Sequence, residues 1–255
     1  MQVVTNQKFV KSRARLGRFA TLLGFAFLAG GFVVTLFFTG SGEENPYVMW
    51  IMTASYLGLI AGLMALNVGR FNSSRWGRRP REEEVIEKNL KGLDYKYRLL
   101  NYLPNLPVDH LLISPYGLFV IETRPQFGDI VNKGSRWRRK GGIMPILMAL
   151  SEGGLGNPTR DALQSVAAMK KLLVDELGLD DASKVPIQPA IFFTSHLAKV
   201  ESVEPAVPVV DAKDLRGFLR STGTEQRLSP DLYRKLVQAL EKGYVEEKEE
   251  VKAKG

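Results

Sequence analysis

Three charged side chains interrupt an apolar stretch from Val108 to Arg124, V-D-H-L-L-I-S-P-Y-G-L-F-V-I-E-T-R. Asp109 stands near its start, and Glu122 and Arg124 stand at its end. Two carboxylates side by side offer oxygen ligands to Mg²⁺ or Mn²⁺. A guanidinium next to them can grip a phosphate or close an internal salt bridge. Buried without partner or ligand, the three charges would be costly.

Ser114-Pro115-Tyr116-Gly117 has Pro and Gly at the positions a tight turn favours, so the stretch reads as a β-hairpin. Side chains alternate along a strand, which puts Glu122 and Arg124 on one face. A two-residue Pro115-Tyr116 loop pairs Asp109 with Glu122. A three-residue loop with Gly117 left-handed shifts the register by one and turns Asp109 to the other face. Both strands are apolar on both faces, as in the middle of a covered sheet. His110 should face away from Asp109 into the core, and neither it nor His196 belongs to a nucleophilic triad.

The chain of 255 residues has no Cys, which excludes disulfides and thiolate chemistry. Its net charge of +8 resides in residues 1–81, where ten Lys/Arg face only Glu43 and Glu44. The remainder is neutral, so global basicity is no argument for nucleic acid. Phe19 to Thr39 and Tyr47 to Gly69 are uncharged, largely apolar runs, each long enough as a helix to cross about 30 Å of hydrocarbon. Basic residues flank both runs and the acidic loop Gly40 to Pro46 separates them. The positive-inside rule then predicts a cell-membrane protein with two spans, in which both termini and the soluble domain are cytoplasmic. Tyr47, Trp50 and Trp76 are expected at the interface. Ala54, Gly58 and Gly62 form the expected small-residue ridge. No charge lies within either run, so an ion pathway has no support.

Glu82 to Leu90 reads as a helix with acids in its first turn, Tyr95 to Tyr102 as a first strand, and Gly128 to Val131 as a short third strand. Asn157-Pro158 caps a long helix whose buried face takes Leu163, Val166, Ala167, Met169 and Leu173. Pro189 to Thr194 and Val207 to Val210 are further strands. A short helix starts at Asp211, Ser229 opens the last helix, and a charged tail follows from Glu246. Lys133-Gly-Ser-Arg136-Trp137-Arg138-Arg139-Lys140 concentrates five cations and one aromatic. It suits phosphates and base stacking, and equally a solvated hairpin tip or a lipid-facing patch. Ile143 to Leu150 is an apolar patch between glycines.

An Asp, a strand and then Glu-x-Lys resembles the core of the PD-(D/E)xK nuclease superfamily. The wording D-H-L-L-I-S-P-Y-G-L-F-V-I-E is similar to its nuclease-related domain branch, over roughly Glu82 to Val210. The resemblance implies an α/β (α+β), restriction-endonuclease-like core with a central mixed sheet, here preceded by a transmembrane helical hairpin. It implies that Asp109 and Glu122 hold Mg²⁺ or Mn²⁺, and that Asp109, Glu122 and Arg124 form the catalytic set for metal-dependent DNA hydrolysis. Glu82 is an accessory candidate, although a solvated helix charge is the simpler expectation for it. Asp161 stands where the family's Asn-Pro-x-x-Gln has Gln, and Gln164 lies one turn on. Arg124 stands where the family has Lys, and Arg81 where it has Gly before Glu82. Arginine stays charged and cannot accept a proton. Two outcomes are open: a membrane-tethered nuclease, or a weak or inactive nucleic-acid-binding or scaffold protein on the same fold. The expected organisation is a basic N-terminus (1–18), helical hairpin (19–69), juxtamembrane linker (70–81), nuclease-fold domain (82–220) and C-terminal helix with tail (221–255). The bilayer is one partner and DNA a second.

Overall fold

The computed structural model describes residues 1–39, 47–77, 79–141, 154–211, 213–222 and 227–253. The apolar patch 143–150 and the loop 40–46 lie outside the described residues. The chain divides into two units, Met1–Asn6 with Glu82–Gly255, and Gln7–Arg81.

The second unit is a pair of helices, α1 (Gln7–Thr39) and α2 (Val48–Asn72), followed by a π-helical turn at Ser73–Gly77. Both helices are long and apolar enough to cross a membrane. α1 starts well before the apolar run, and its 33 residues span about 50 Å. The basic residues Lys8 to Arg18 are thus the first turns of the same helix, not a separate tail. The helices meet along small residues spaced by seven. Gly17, Gly24 and Gly31 are buried on α1, and Ser55, Gly62 and Gly69 on α2. A methyl added at Gly62 would stand 3.1 Å from the Gly24 carbonyl oxygen. Ser55 Oγ donates to the Gly31 carbonyl at 2.7 Å. The predicted ridge is therefore rotated: Gly62 belongs to the seam, but Ala54 is exposed and Gly58 faces open space. Phe25, Leu36, Leu57 and Met64 point outward, as lipid-facing residues would. Tyr47 and Trp50 are exposed, but Trp76 is buried, edge-on to Phe9 at 5.2 Å, and is a packing residue, not an interfacial anchor.

The first unit contains β1 (Gln2–Thr5), α3 (Glu82–Asn89), β2 (Arg98–Asn101), β3 (His110–Ser114), β4 (Gly117–Arg124), β5 (Gly128–Lys133) and β6 (Arg136–Arg139). There follow α4 (Pro158–Leu177), α5 (Leu179–Ser183), β7 (Ile187–Phe193), β8 (Ala198–Val203), β9 (Val209–Val210), α6 (Leu215–Thr222) and α7 (Pro230–Ala253). Six strands form a mixed sheet in the order β1-β2-β3-β4-β7-β9, and three form a second in the order β6-β5-β8. Leu111, Ile113, Leu118 and Val120 face Met169 and Leu173 of α4 and Leu236 of α7. Leu112, Phe119, Ile121 and Phe192 face Ile86 of α3 and Leu215 of α6. Helices on both faces explain why β3 and β4 are apolar without alternation.

Several boundaries differ from the sequence reading. β1, which pairs in parallel with β2, was read as part of the basic N-terminus. Only Arg98–Asn101 of the segment 95–102 is strand, because Tyr97 N turns back to the Asp94 carbonyl at 3.0 Å. On α4, Leu163 and Ala167 are exposed, and the buried face runs through Ala162, Ser165, Val166, Met169 and Leu173. β6 and β8, neither anticipated, flank β5.

Candidate functional site at the end of strand β4

The hairpin register decides the placement of the acids. Ser114 pairs with Gly117 and His110 with Ile121, so the loop has two residues. The paired register ends at His110–Ile121; continued by one step, it would set Asp109 opposite Glu122. Directly opposed residues share a sheet face, and this is the face of Leu118 and Val120, covered by α4. Asp109 is half-buried in the bend before β3, and its carbonyl accepts the Tyr102 N–H at 2.6 Å. His110 is turned the other way. It is fully buried, with Nδ1 2.8 Å from Asn101 Oδ1, as a packed core residue should be. His196 is exposed.

Arg124 dominates the α4 face of the strand end. Its Nη1 donates to Glu122 Oε1 and to the Thr123 carbonyl, the latter at 2.9 Å. Its Nη2 donates to Asp161 Oδ2 at 2.6 Å. The Glu122 and Arg124 side chains are about one-tenth exposed and that of Asp161 about one-third. Asp161 reaches the guanidinium from the first turn of α4, where helix N-terminal N–H groups also favour an anion. Asn157 caps that turn by accepting the Arg160 N–H at 3.1 Å. Gln164, on the same helix, is exposed.

Glu82 sits on the opposite sheet face. Its Oε2 accepts the Thr123 hydroxyl, and Thr123 lies on the α3 side with Ile121. It is only 6% exposed, so it is not the solvated helix charge expected from its position. Neighbouring Glu83 accepts the Tyr102 hydroxyl at 2.7 Å. Thr123 and Gln126 are participants that the sequence did not single out. Gln126, two residues beyond Arg124, is buried; its Nε2 donates to the Gly154 carbonyl at 3.3 Å, and its Oε1 has no protein partner among the described residues. A Thr between two motif residues gives no signal of its own, and a Gln after Pro125 reads as ordinary loop.

The cationic run 133–140 is divided by strand alternation. Trp137 and Arg139 are partly buried, facing inward. The Trp137 indole donates to Thr159 Oγ1 at 2.8 Å and packs on Phe193 at 5.9 Å, so its ring is used in the core and does not stand out for a base to stack on. Lys133, Arg136, Arg138 and Lys140 are exposed, and Lys140 pairs with Glu201 at 2.6 Å.

Among known families, the model described as nuclease-related domain matches residues 78–194. This segment is similar to a nuclease-related domain. No curated protein and no solved structure matches the chain. The match contains Asp109, Glu122, Arg124 and Asp161, together with α3, α4 and strands β2 to β7. It leaves out the helical pair, β1 and the elements after β7. The two positions where this segment departs from the expected motif, Arg for Lys at 124 and Asp for Gln at 161, are bonded to each other.

A divalent cation is not well served by these side chains as they stand. Among the described residues no three His, Asp or Glu side chains come together as a ligand set. Two of the nearest carboxylates, Glu122 and Asp161, already carry the guanidinium. Arg124 supplies a positive charge between these two acids.

Proposed function

We propose that this chain is a membrane-anchored nuclease-related domain protein whose acidic site is held by its own arginine. In that state phosphodiester hydrolysis is weak or absent, and the domain acts as a binding or scaffold module on the nuclease fold. The observation that carries this is the bridge from Arg124 to both Glu122 and Asp161. A guanidinium cannot take a proton from water, and here it neutralises the oxygens that would ligate Mg²⁺ or Mn²⁺. Anchoring is supported by α1 and α2, and cytoplasmic placement of the domain by the ten basic residues flanking them. DNA is the substrate class the fold suggests. The reading of a metal-dependent nuclease is favoured by one specific relationship, the register that, continued by one step, would set Asp109 opposite Glu122. Plasmid nicking by the full chain in detergent with Mn²⁺ separates the two. Turnover abolished by Glu122→Gln would establish the nuclease. No turnover, with no metal binding by calorimetry, would establish the module.

A further inference from the structure

The second sheet, β6-β5-β8, has one covered face and one open face. Ile130 and Asn132 of β5 are buried with Trp137 against the core of Ala162, Ile191 and Phe193. The alternate residues point outward, and the register assigns them to three rows. Arg136, Lys133 and Val203 form the first; Arg138, Val131 and Glu201 the second; Lys199 and Asp129 the third, beside Lys140. Five bases thus share the face with two acids, one of which, Glu201, is taken by Lys140. Lys133, Arg136 and Arg138 have no acidic partner among the described residues. Val203 and, at the start of β8, Leu197 are more than half exposed on the same small sheet.

This face is turned away from the acidic site. The inner surface of the same sheet touches the first turn of α4 through Trp137 and Thr159, and that turn carries Asp161. A polyanion lying on the outer rows meets the side of the sheet opposite to the one that packs, through Trp137, on the first turn of α4. A broad anionic surface is the better match, because five bases on three short strands form a two-dimensional array and not a groove. Exposed aliphatic groups beside them suit the headgroup region.

We propose that the open face of the β6-β5-β8 sheet docks on anionic lipid of the membrane that anchors the chain. The inference rests on that anchoring and not on any activity of the acidic site. A tether converts docking into an intramolecular event, so a few cations suffice. Each basic residue near an anionic leaflet is worth roughly fivefold in binding.

The absence of Cys allows a clean test. The full chain carrying Val203→Cys, or Gln238→Cys on the exposed side of α7 as control, is labelled with an environment-sensitive dye. It is then reconstituted in nanodiscs of phosphatidylcholine with or without phosphatidylglycerol, and quenching by headgroup spin labels is read. The expected result is quenching at position 203 only with phosphatidylglycerol. It is lost in high salt, which shortens the screening length to a few ångströms, and in Lys133→Glu/Arg136→Glu/Arg138→Glu. These exposed substitutions should lower the docking equilibrium by at least about a hundredfold without changing the melting temperature. Equal quenching in neutral discs, or equal quenching at position 238, would overturn the proposal. So would release of the label by a short oligonucleotide with no difference between the lipids, which would assign the face to nucleic acid. A chain that fails to enter discs of either composition would overturn the anchoring, and the docking with it.

Discussion

Arg124 and Asp161 are joined across the β4–α4 boundary, Nη2 to Oδ2 at 2.6 Å, and the same guanidinium holds Glu122. Neither residue follows the expected nuclease motif, yet their charges complement each other. A lone Arg at position 124 would leave its second nitrogen pair facing a neutral amide. A lone Asp at position 161 would be without the guanidinium that it shares here with Glu122. Together they close the site on itself.

The bridge is predicted to be a cooperative unit. Arg124→Leu leaves Glu122 nearly buried and uncompensated, and removing one partner of such a pair costs about 3–5 kcal/mol. Asp161→Asn should cost much less, about 1 kcal/mol or under, because its side chain is one-third exposed and the Glu122 bond remains. Glu122→Leu/Arg124→Leu should recover most of the loss, since two apolar groups replace a matched pair. Thermal unfolding of the four full-length proteins in one detergent checks this. A double variant that loses as much stability as Arg124→Leu, or more, would mean that Glu122 and Arg124 are not coupled.

Restoring the motif should restore chemistry. Arg124→Lys replaces a planar, permanently charged fork by an ammonium that can lose a proton, and Asp161→Gln frees the lysine from its second acid. If Asp109 and Glu122 can then hold a metal, plasmid nicking with Mn²⁺ should rise by about 10²–10⁴-fold in Arg124→Lys/Asp161→Gln. Asp109→Asn in that background should abolish it. A double variant as inactive as wild type, with no calorimetric Mn²⁺ binding, would show that the fold is kept for binding alone.

The hairpin was legible because Pro115 and Gly117 mark its turn, but its register was not: two- and three-residue loops both fit the sequence, and the Ser114–Gly117 pairing decides between them. The cap at Asn157 and the two apolar helices were likewise legible from local chemistry. The Arg124–Asp161 bridge was not, since 37 residues separate its ends and only the docking of α4 on β4 brings them together. Strand β1 was hidden too. Four residues, Q-V-V-T, followed by a basic helix, carry no periodicity, and their strand character comes entirely from pairing with β2. The cationic run 133–140 was legible as charge but not as geometry, because no turn residue other than Gly134 announced that it would alternate between two faces.

β1 is predicted to be integral to the domain. Val3 and Val4 pack on opposite faces of the large sheet, and Asn101 Nδ2 donates to Thr5 Oγ1 at 2.9 Å. A fragment beginning at Glu82 should unfold at a lower temperature and bind a hydrophobic dye more strongly than one in which residues 1–6 are fused ahead of Glu82 through a flexible linker, because β2 becomes an open edge. Equal melting temperatures would mean that β1 contributes no stability.

The same strand constrains membrane topology. Residues 2–5 hydrogen-bond to residues 98–101, so the segment before α1 and the domain after α2 must lie on one side of any membrane that the helices cross. Two spans satisfy this, and one does not. Positive flanks then predict the cytoplasmic side, with residues 40–46 outside. In whole cells, Ser41→Cys should react with a membrane-impermeant maleimide, whereas Ser183→Cys, on exposed α5, should react only after permeabilisation. Thr5→Cys should follow Ser183→Cys in every condition. Labelling of Ser183→Cys from outside would reverse the orientation. Labelling of Thr5→Cys and Ser183→Cys on different sides would be incompatible with the β1–β2 pairing, and the six-stranded sheet would have to be abandoned.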